Sequence, residues 1–161
     1  MEPRIDLAKV ALGAYAAMAA LEGYVKHSSK LETSLLELVR MRASQINGCA
    51  YCLDMHSKDA RAAGETEQRL YTLNAWRETP FFTDRERAAL AWTEAITLIS
   101  SSHAPDEVFE EARKEFSAEE LVNLTVAIVA INGWNRLAIG FRSVPGIYQP
   151  AQSHGTAAGK P

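Results

Sequence analysis

The chain has 161 residues, of which 47% are hydrophobic and 23% charged, and its formal net charge is -3. This size and composition suit one globular domain that can bury a sizeable core. The slight acidity and the lack of a basic run argue against a nucleic-acid partner or an anionic membrane surface. Two cysteines separated by two residues are too few for a secreted disulfide-rich fold, so we expect a cytoplasmic protein with a redox or metal pair.

Apolar residues recur at helical spacing along the whole chain, and no alternating strand pattern occurs. Two capping boxes, Thr83 with Glu86 and Ser117 with Glu120, indicate helix starts. The sequence therefore predicts an all-α protein of about seven helices. They cover approximately residues 6–24, 32–46, 49–64, 67–76, 83–99, a short helix from Pro105, and 117–141.

Neither a signal peptide nor a membrane span is expected. The apolar segment 11–21 is mostly alanine, and Glu2 and Asp6 stand where a signal peptide would carry positive charge. The longest other apolar stretch falls short of the roughly 20 residues that a membrane span requires. It is interrupted by four polar residues: Asn123, Asn132, Asn135 and Arg136.

We interpret residues 1–148 as one helical domain. Residues 149–161 are rich in Gly, Ala, Ser and Pro, which predicts a flexible C-terminal tail. The helix 117–141 is apolar around nearly its whole circumference, and a small domain rarely surrounds a helix completely. We therefore expect a homo-oligomer, the alternative being a central core helix of a compact bundle.

The segment 47–56 contains both cysteines and a histidine. Cys49, Cys52 and His56 stand at i, i+3 and i+7, which places them on one face of a helix. The turn residues Asn47 and Gly48 place Cys49 in the first helical turn, where free N–H groups and the macrodipole favour a thiolate. At an unperturbed pKa near 8.5, only about 3% of a thiol is ionised at pH 7. His56, one turn beyond Cys52, is placed to act as a base.

A Cys-x-x-Cys motif serves metal sites as well as redox pairs. A zinc site formed by Glu37, Cys49, Cys52 and His56 is therefore the main structural alternative. It ranks second because both cysteines and the histidine lie in one short helical segment, and Glu37 by itself is expected to be a solvated helix carboxylate. The other histidines lie in polar segments or the tail and are expected to be exposed: His27, His103 and His154.

The arrangement of Glu37, Cys49, Cys52 and His56 resembles the alkylhydroperoxidase AhpD-like branch of the carboxymuconolactone decarboxylase superfamily. The resemblance spans roughly residues 31–148, with its motif core in 31–100, and includes the stretches ERAALAWTEA and INGWNR. It implies an AhpD-like helical bundle that assembles as a trimer or hexamer.

The resemblance also implies an activity, thiol-dependent peroxide reduction. By this resemblance, Cys52 is the attacking thiolate and Cys49 is the resolving thiol, and the two form a redox-active disulfide. Glu37 and His56 form a proton relay, and a lipoyl-type or thioredoxin-type dithiol reduces the disulfide. No metal or organic cofactor is expected, and the decarboxylation that names the superfamily is disfavoured because no organic cofactor motif appears.

Tyr51 departs from the family pattern, since well-studied AhpD proteins carry a second histidine between the cysteines. A phenol with a pKa near 10 is a poor proton acceptor at neutral pH, so we assign Tyr51 only an accessory role. The alternative from another functional class is a non-enzymatic protein, either zinc-stabilised or redox-sensing, that acts through interaction.

Overall fold

A computed structural model of the chain describes residues 1–150, which form helices and no strand. The all-α prediction is confirmed for these residues. Residues 151–161, which include His154 and most of the predicted tail, lie outside them. The helices are α1 (Leu7–Val10), α2 (Leu12–Ser28), α3 (Thr33–Asn47), α4 (Ala50–Ala62), α5 (Glu67–Thr72), a 3-10 helix (Leu73–Glu78), α6 (Asp84–Thr97), α7 (Ile99–Ser102), α8 (Asp106–Glu115) and α9 (Ala118–Phe141).

Both predicted capping boxes are present, at the starts of α6 and α9. Three predicted helices are each divided in two, and the one predicted over 67–76 becomes α5 and the 3-10 helix. The first breaks at Ala11, and the backbone N–H of Arg4 donates to the carbonyl of Phe141 at 2.8 Å, which ties the N-terminal segment to the end of α9. The fifth helix, predicted over 83–99, ends at Thr97, and α7 follows with Ser102 Oγ donating to the carbonyl of Ala95 at 2.6 Å.

Helix α9 lies at the centre and packs against α2, α3, α6 and α8. Its inner face contributes fully buried residues such as Leu124, Ile128 and Ile131 to the core. Its outer face leaves Val122 and Val129 exposed, 62% and 54% respectively. The largely apolar circumference therefore reflects a core face and a second apolar face that residues 1–150 do not cover.

Helix α9 also has the length and hydropathy of a membrane span, so the expectation that no segment reaches this threshold was wrong. Three asparagines on α9 are nevertheless buried within the chain and hydrogen-bonded to other helices: Asn123, Asn132 and Asn135. Such packing is that of a core helix, which favours a soluble protein. A cytoplasmic location stays a prediction.

The α3–α4 hairpin positions the cysteines. Gly48 ends α3 with φ of +70°, a left-handed conformation that a residue without Cβ adopts at little cost. The N–H of Cys49 then donates to the carbonyl of Ser44 at 3.0 Å, which closes the turn. Because the two helices are antiparallel neighbours, Glu37 on α3 lies beside the middle of α4.

Candidate active site

The two cysteines form a buried dithiol at the start of α4. Cys49 is the N-cap of the helix, one residue before the first turn in which it was predicted to lie, because its backbone is extended after the Gly48 turn. Its Sγ accepts a hydrogen bond from the backbone N–H of Cys52 at 3.4 Å and lies 2.7 Å from Cys52 Sγ. Both are free thiols, and each residue is only 1% exposed. Their closeness lets one sulfur act on the other without a large movement.

The environment separates the pKa values of the two thiols. The hydrogen bond from the Cys52 thiol lowers the pKa of Cys49 to about 7, against the opposing effect of burial and with further hydrogen bonds from the Cys52 N–H and from Asn135. The same thiol–thiol hydrogen bond, together with burial and the nearby Cys49 charge, raises the pKa of Cys52, although Asn135 and Ser44 act in the opposite direction. In the reduced pair, Cys49 is thus the thiol that ionises first.

Glu37 is buried and belongs to a charged cluster, Glu22, Glu37, Arg40 and His56. Its Oε2 lies 2.9 Å from His56 Nδ1, and its Oε1 accepts from Arg40 Nη1 at 2.6 Å. Burial opposes ionisation of Glu37, but His56 and Arg40 outweigh it and hold the pKa of this carboxyl below its usual value. Arg40 also pairs with Glu22 on α2. The expectation of a solvated carboxylate was therefore wrong, because α4 covers Glu37.

His56 lies on α4 one turn after Cys52, and within the described chain it makes no hydrogen bond to either sulfur. The ligand-type atoms that approach one another within 4.8 Å are those of Glu37, His56 and Asp59. Neither cysteine belongs to this group, so the structure does not bring the zinc set of the sequence alternative around one ion. The four predicted site residues thus form two neighbouring pairs, the dithiol and the Glu37–His56 pair.

A second polar cluster, which the sequence analysis did not identify, lies behind the dithiol. This amide cluster consists of Ser44, Asn47, Asn132 and Asn135, and it joins the end of α3 to α9. Asn135 and Ser44 are completely buried, and Ile131 on α9 packs in the same core cluster as both cysteines. Asparagines three residues apart in an otherwise apolar helix were the available signal, since buried amides require partners.

The segment after α9 crosses the outer side of α4. The N–H of Gly146 donates to Asp54 Oδ2 at 2.9 Å, and Lys58 Nζ donates to the carbonyl of Tyr148 at 3.0 Å. The Tyr148 hydroxyl donates to Asp59 Oδ1 at 2.6 Å. Burial and the bonded Asp59 carboxylate raise the pKa of Tyr148. These contacts fix residues 146–148 beside the Glu37–His56 pair, which no local sequence pattern indicated.

Tyr51 is half-buried next to the dithiol. Burial, followed by the nearby Cys52 charge, raises the pKa of its phenol. At neutral pH the fraction of Tyr51 in the phenolate form, which is the form that accepts a proton, is therefore even smaller than the ordinary pKa of a phenol implies. A cleft of about 120 Å³ borders Glu37 and is lined by Ser34, Glu37, Ala60, Ala63, Gly64 and Glu65.

The sequence and fold are similar to those of known proteins. Residues 13–95 match the profile of the carboxymuconolactone decarboxylase family. The uncharacterised protein YdfG of Bacillus subtilis is 44% identical over 139 residues, which cover 86% of this chain and 94% of YdfG.

Solved structures show the same fold. A protein of unknown function from Agrobacterium tumefaciens, for which an AhpD-type antioxidant defence role has been suggested, is 49% identical with a TM-score of 0.88. The match covers 91% of this chain and all of that one. The debrominase Bmp8 bound to 2,3,4-tribromopyrrole has a TM-score of 0.77 at 22% identity, covering 85% of this chain and 73% of its own, which is a likeness of fold alone.

Proposed function

Because the chain belongs to the carboxymuconolactone decarboxylase family, on its AhpD-like branch, we propose that it is a thiol-dependent peroxidase whose Cys49–Cys52 pair cycles between dithiol and disulfide. The observation that carries the proposal is the buried pair of free thiols, 2.7 Å apart, one of which has its pKa lowered to about 7. A thiolate is the nucleophilic form of cysteine, and a neighbouring thiol can resolve the product.

The cycle balances in three steps. A cysteine thiolate attacks the distal oxygen of a hydroperoxide, the O–O bond breaks, and the products are a sulfenic acid and an alkoxide that takes up a proton to become the alcohol. The second thiol then displaces the sulfenic hydroxyl as water and forms the Cys49–Cys52 disulfide. An external dithiol returns two electrons and two protons by thiol–disulfide exchange, and we propose a lipoyl-type or thioredoxin-type reductant.

The two assignments of the attacking thiol rest on different features. The sequence assignment of Cys52 relies on His56, which lies one helical turn away on the same helix. The electrostatics of the reduced pair favour Cys49, because the Cys52 N–H donates to its sulfur and the Cys52 thiol can donate to it once Cys49 is ionised. We therefore propose that the resting charge lies on Cys49, and trapping of the sulfenic acid distinguishes the two assignments.

Glu37 and His56 are proposed to move the proton that the leaving alkoxide requires. The carboxylate holds the imidazole through Nδ1, which leaves Nε2 as the atom that exchanges protons with the reacting groups. Arg40 keeps Glu37 ionised, so the relay has a fixed acceptor at neutral pH. The cleft at Glu37 gives this carboxylate a route to solvent protons.

We also propose that the chain assembles as a homo-oligomer, a trimer or hexamer, through the uncovered face of α9. Val122, Val129 and Ile139 are exposed along this face, and a second copy of the chain would bury them. Light scattering should give a multiple of 17.7 kDa. A Val129→Glu variant should dissociate the assembly, and a monomeric wild type would contradict the proposal.

The test of the peroxidase proposal is a thiol count on fully reduced, metal-analysed protein. One equivalent of an alkyl hydroperoxide should remove both free thiols and yield an intact mass lower by two hydrogen atoms, together with one equivalent of alcohol. Addition of a dithiol should restore both thiols and sustain turnover. Stoichiometric zinc in the purified protein, or thiols that persist in excess peroxide, would contradict the proposal and favour the zinc-stabilised alternative.

A further inference from the structure

The hydrogen bonds of the amide cluster can be oriented from two partners that have one role each. The Ile128 carbonyl can only accept, and the Arg136 guanidinium can only donate. Asn132 Nδ2 donates to the Ile128 carbonyl at 2.9 Å, and Asn132 Oδ1 accepts from Arg136 Nη1 at 3.0 Å. The oxygen of the Asn132 amide must therefore face Arg136, and the same oxygen faces Asn47.

The orientation of the Asn132 amide also determines the orientation of the Asn135 amide. Asn47 Nδ2 donates to Asn132 Oδ1 at 2.9 Å and to Asn135 Oδ1 at 2.8 Å, so its two hydrogens serve two oxygens. Since the Asn135 oxygen is occupied on that side, its NH2 group faces the other way. There Asn135 Nδ2 donates to Ser44 Oγ at 3.0 Å.

Two hydrogen-bond donors consequently converge on the dithiol. Asn135 uses one N–H for Ser44 and has a second N–H, whereas Ser44 uses its oxygen as acceptor and keeps its O–H. Within residues 1–150, this hydroxyl donates to no nitrogen or oxygen acceptor. Both side chains are completely buried, so water does not compete with the sulfurs for these donors. The Ser44 carbonyl accepts from the Cys49 N–H at 3.0 Å, and Ile131, one turn before Asn135 on α9, belongs to the same core cluster as both cysteines, so both donors lie beside the sulfurs. In agreement with this placement, Asn135 acts to lower the pKa of both thiols, and Ser44 acts to lower that of Cys52.

We propose that Asn135 and Ser44 form a donor site that stabilises the cysteine thiolate, and that Asn132 and Asn47 fix the direction of these donors. Burial alone disfavours an anion at this position, whereas hydrogen bonds to a charged acceptor are among the strong ones in proteins. Neither an amide nor a serine hydroxyl titrates in the working pH range, so the site stabilises the anion without protonating it. The inference rests on the proposed function in taking the thiolate as the reacting form.

The test measures thiolate formation directly, by the rate of alkylation with iodoacetamide between pH 5 and pH 10. The variant Asn135→Leu keeps the volume and removes the donors. Its alkylation rate near pH 6 should fall about tenfold, which corresponds to a rise of about one unit in the thiol pKa. At a pH well above both midpoints, the rates of variant and wild type should converge, which a general loss of packing would not produce.

The matched control is Asn123→Leu. Asn123 lies on the same helix and is equally buried, donates to the carbonyl of Ser29 at 3.1 Å and accepts from the Tyr24 hydroxyl at 2.8 Å. It has no contact with the cysteines. Its loss should lower the melting temperature while the alkylation midpoint stays at the wild-type value.

The second variant, Ser44→Ala, removes the other donor with little change in volume, and it decides the question if Asn135→Leu does not fold. Its alkylation rate near pH 6 should fall about threefold. A folded Asn135→Leu protein, or a Ser44→Ala protein, with the wild-type midpoint would overturn the inference, as would an equal shift in Asn123→Leu. Alkylation requires no peroxide, so a shifted midpoint in a protein that reduces no hydroperoxide would overturn the proposed function alone.

Discussion

The charged cluster and the amide cluster both include residues of α3, are mostly buried, and lie near the same two cysteines. In the charged cluster, Glu37 and His56 can each gain or lose a proton, and Arg40 keeps the carboxylate ionised. In the amide cluster, Asn135 and Asn47 can only hold hydrogen bonds in one direction. The difference indicates a division of labour, in which one cluster moves protons and the other stabilises a charge.

The largest effect on turnover is expected from substitution of the two cysteines, which lie near both clusters. Cys49→Ser and Cys52→Ser should each reduce turnover at least a thousandfold, because the disulfide cannot form. In Cys52→Ser, the serine N–H and O–H still donate to Cys49, so one equivalent of peroxide should leave a sulfenic acid on Cys49 that a dimedone-type probe traps. A sulfenic acid found on Cys52 in Cys49→Ser, with none on Cys49 in the other variant, would restore the sequence assignment.

The second-largest effect is expected when the charge of Glu37, in the charged cluster, is removed. Glu37→Gln should lower peroxidase turnover about a hundredfold, as loss of a proton relay does. It should also lower the free energy of unfolding by about 2–4 kcal/mol, since Arg40 stays buried with only the half-buried Glu22 as partner. Urea denaturation and turnover are measured together. The control is Glu110→Gln, whose pair with Arg113 is exposed and should contribute almost nothing.

The two clusters should also differ in their dependence on pH. The folded-state pKa of Glu37 lies below its unfolded value of 4.5, so its stabilising contribution is complete above pH 4.5 and is lost as the pH falls through the lower, folded-state pKa. The difference in unfolding free energy between wild type and Glu37→Gln should therefore shrink in acid. For Ser44→Ala, which removes a neutral hydroxyl of the amide cluster, that difference should stay constant over the same range, and a parallel decline would contradict the distinction.

The wild-type thiol should titrate in a different window from Glu37. Since the pKa of Cys49 is about 7, alkylation should rise with pH through a midpoint near 7, well below the value of about 8.5 for an unperturbed cysteine. Stopped-flow alkylation or the ultraviolet absorbance of the thiolate measures this midpoint. A single midpoint near 9 would show that neither cluster activates the pair.

The smallest effect on stability is expected at Tyr148, which lies beside the charged cluster. Tyr148→Phe removes the hydroxyl that donates to Asp59 and should lower the free energy of unfolding by about 1 kcal/mol. Tyr71→Phe is the control, because Tyr71 is 75% exposed and its substitution should change stability by less than about 0.5 kcal/mol. A loss of turnover in Tyr148→Phe comparable to that of Glu37→Gln would extend the proton relay to Asp59 and Tyr148.

The sequence by itself determined the all-α class, both capping boxes and the hairpin that carries the cysteines. These features depend on contacts within one or two helical turns, such as Thr83 with Glu86, or on a residue type such as Gly48 at a turn. Cys49, Cys52 and His56 were likewise grouped from their helical spacing, whereas Glu37 was added by the family resemblance.

Only the tertiary structure decided the surroundings of that set. Asn135 meets Ser44 across 91 residues and Tyr148 meets Asp59 across 89, and no local pattern specifies which distant polar groups become partners. The burial of Glu37 followed from the same cause, since its exposure depends on how α4 packs over α3 rather than on its own helix. Periodicity identifies the face that a helix buries, whereas the electrostatics of a site depend on which helices meet there.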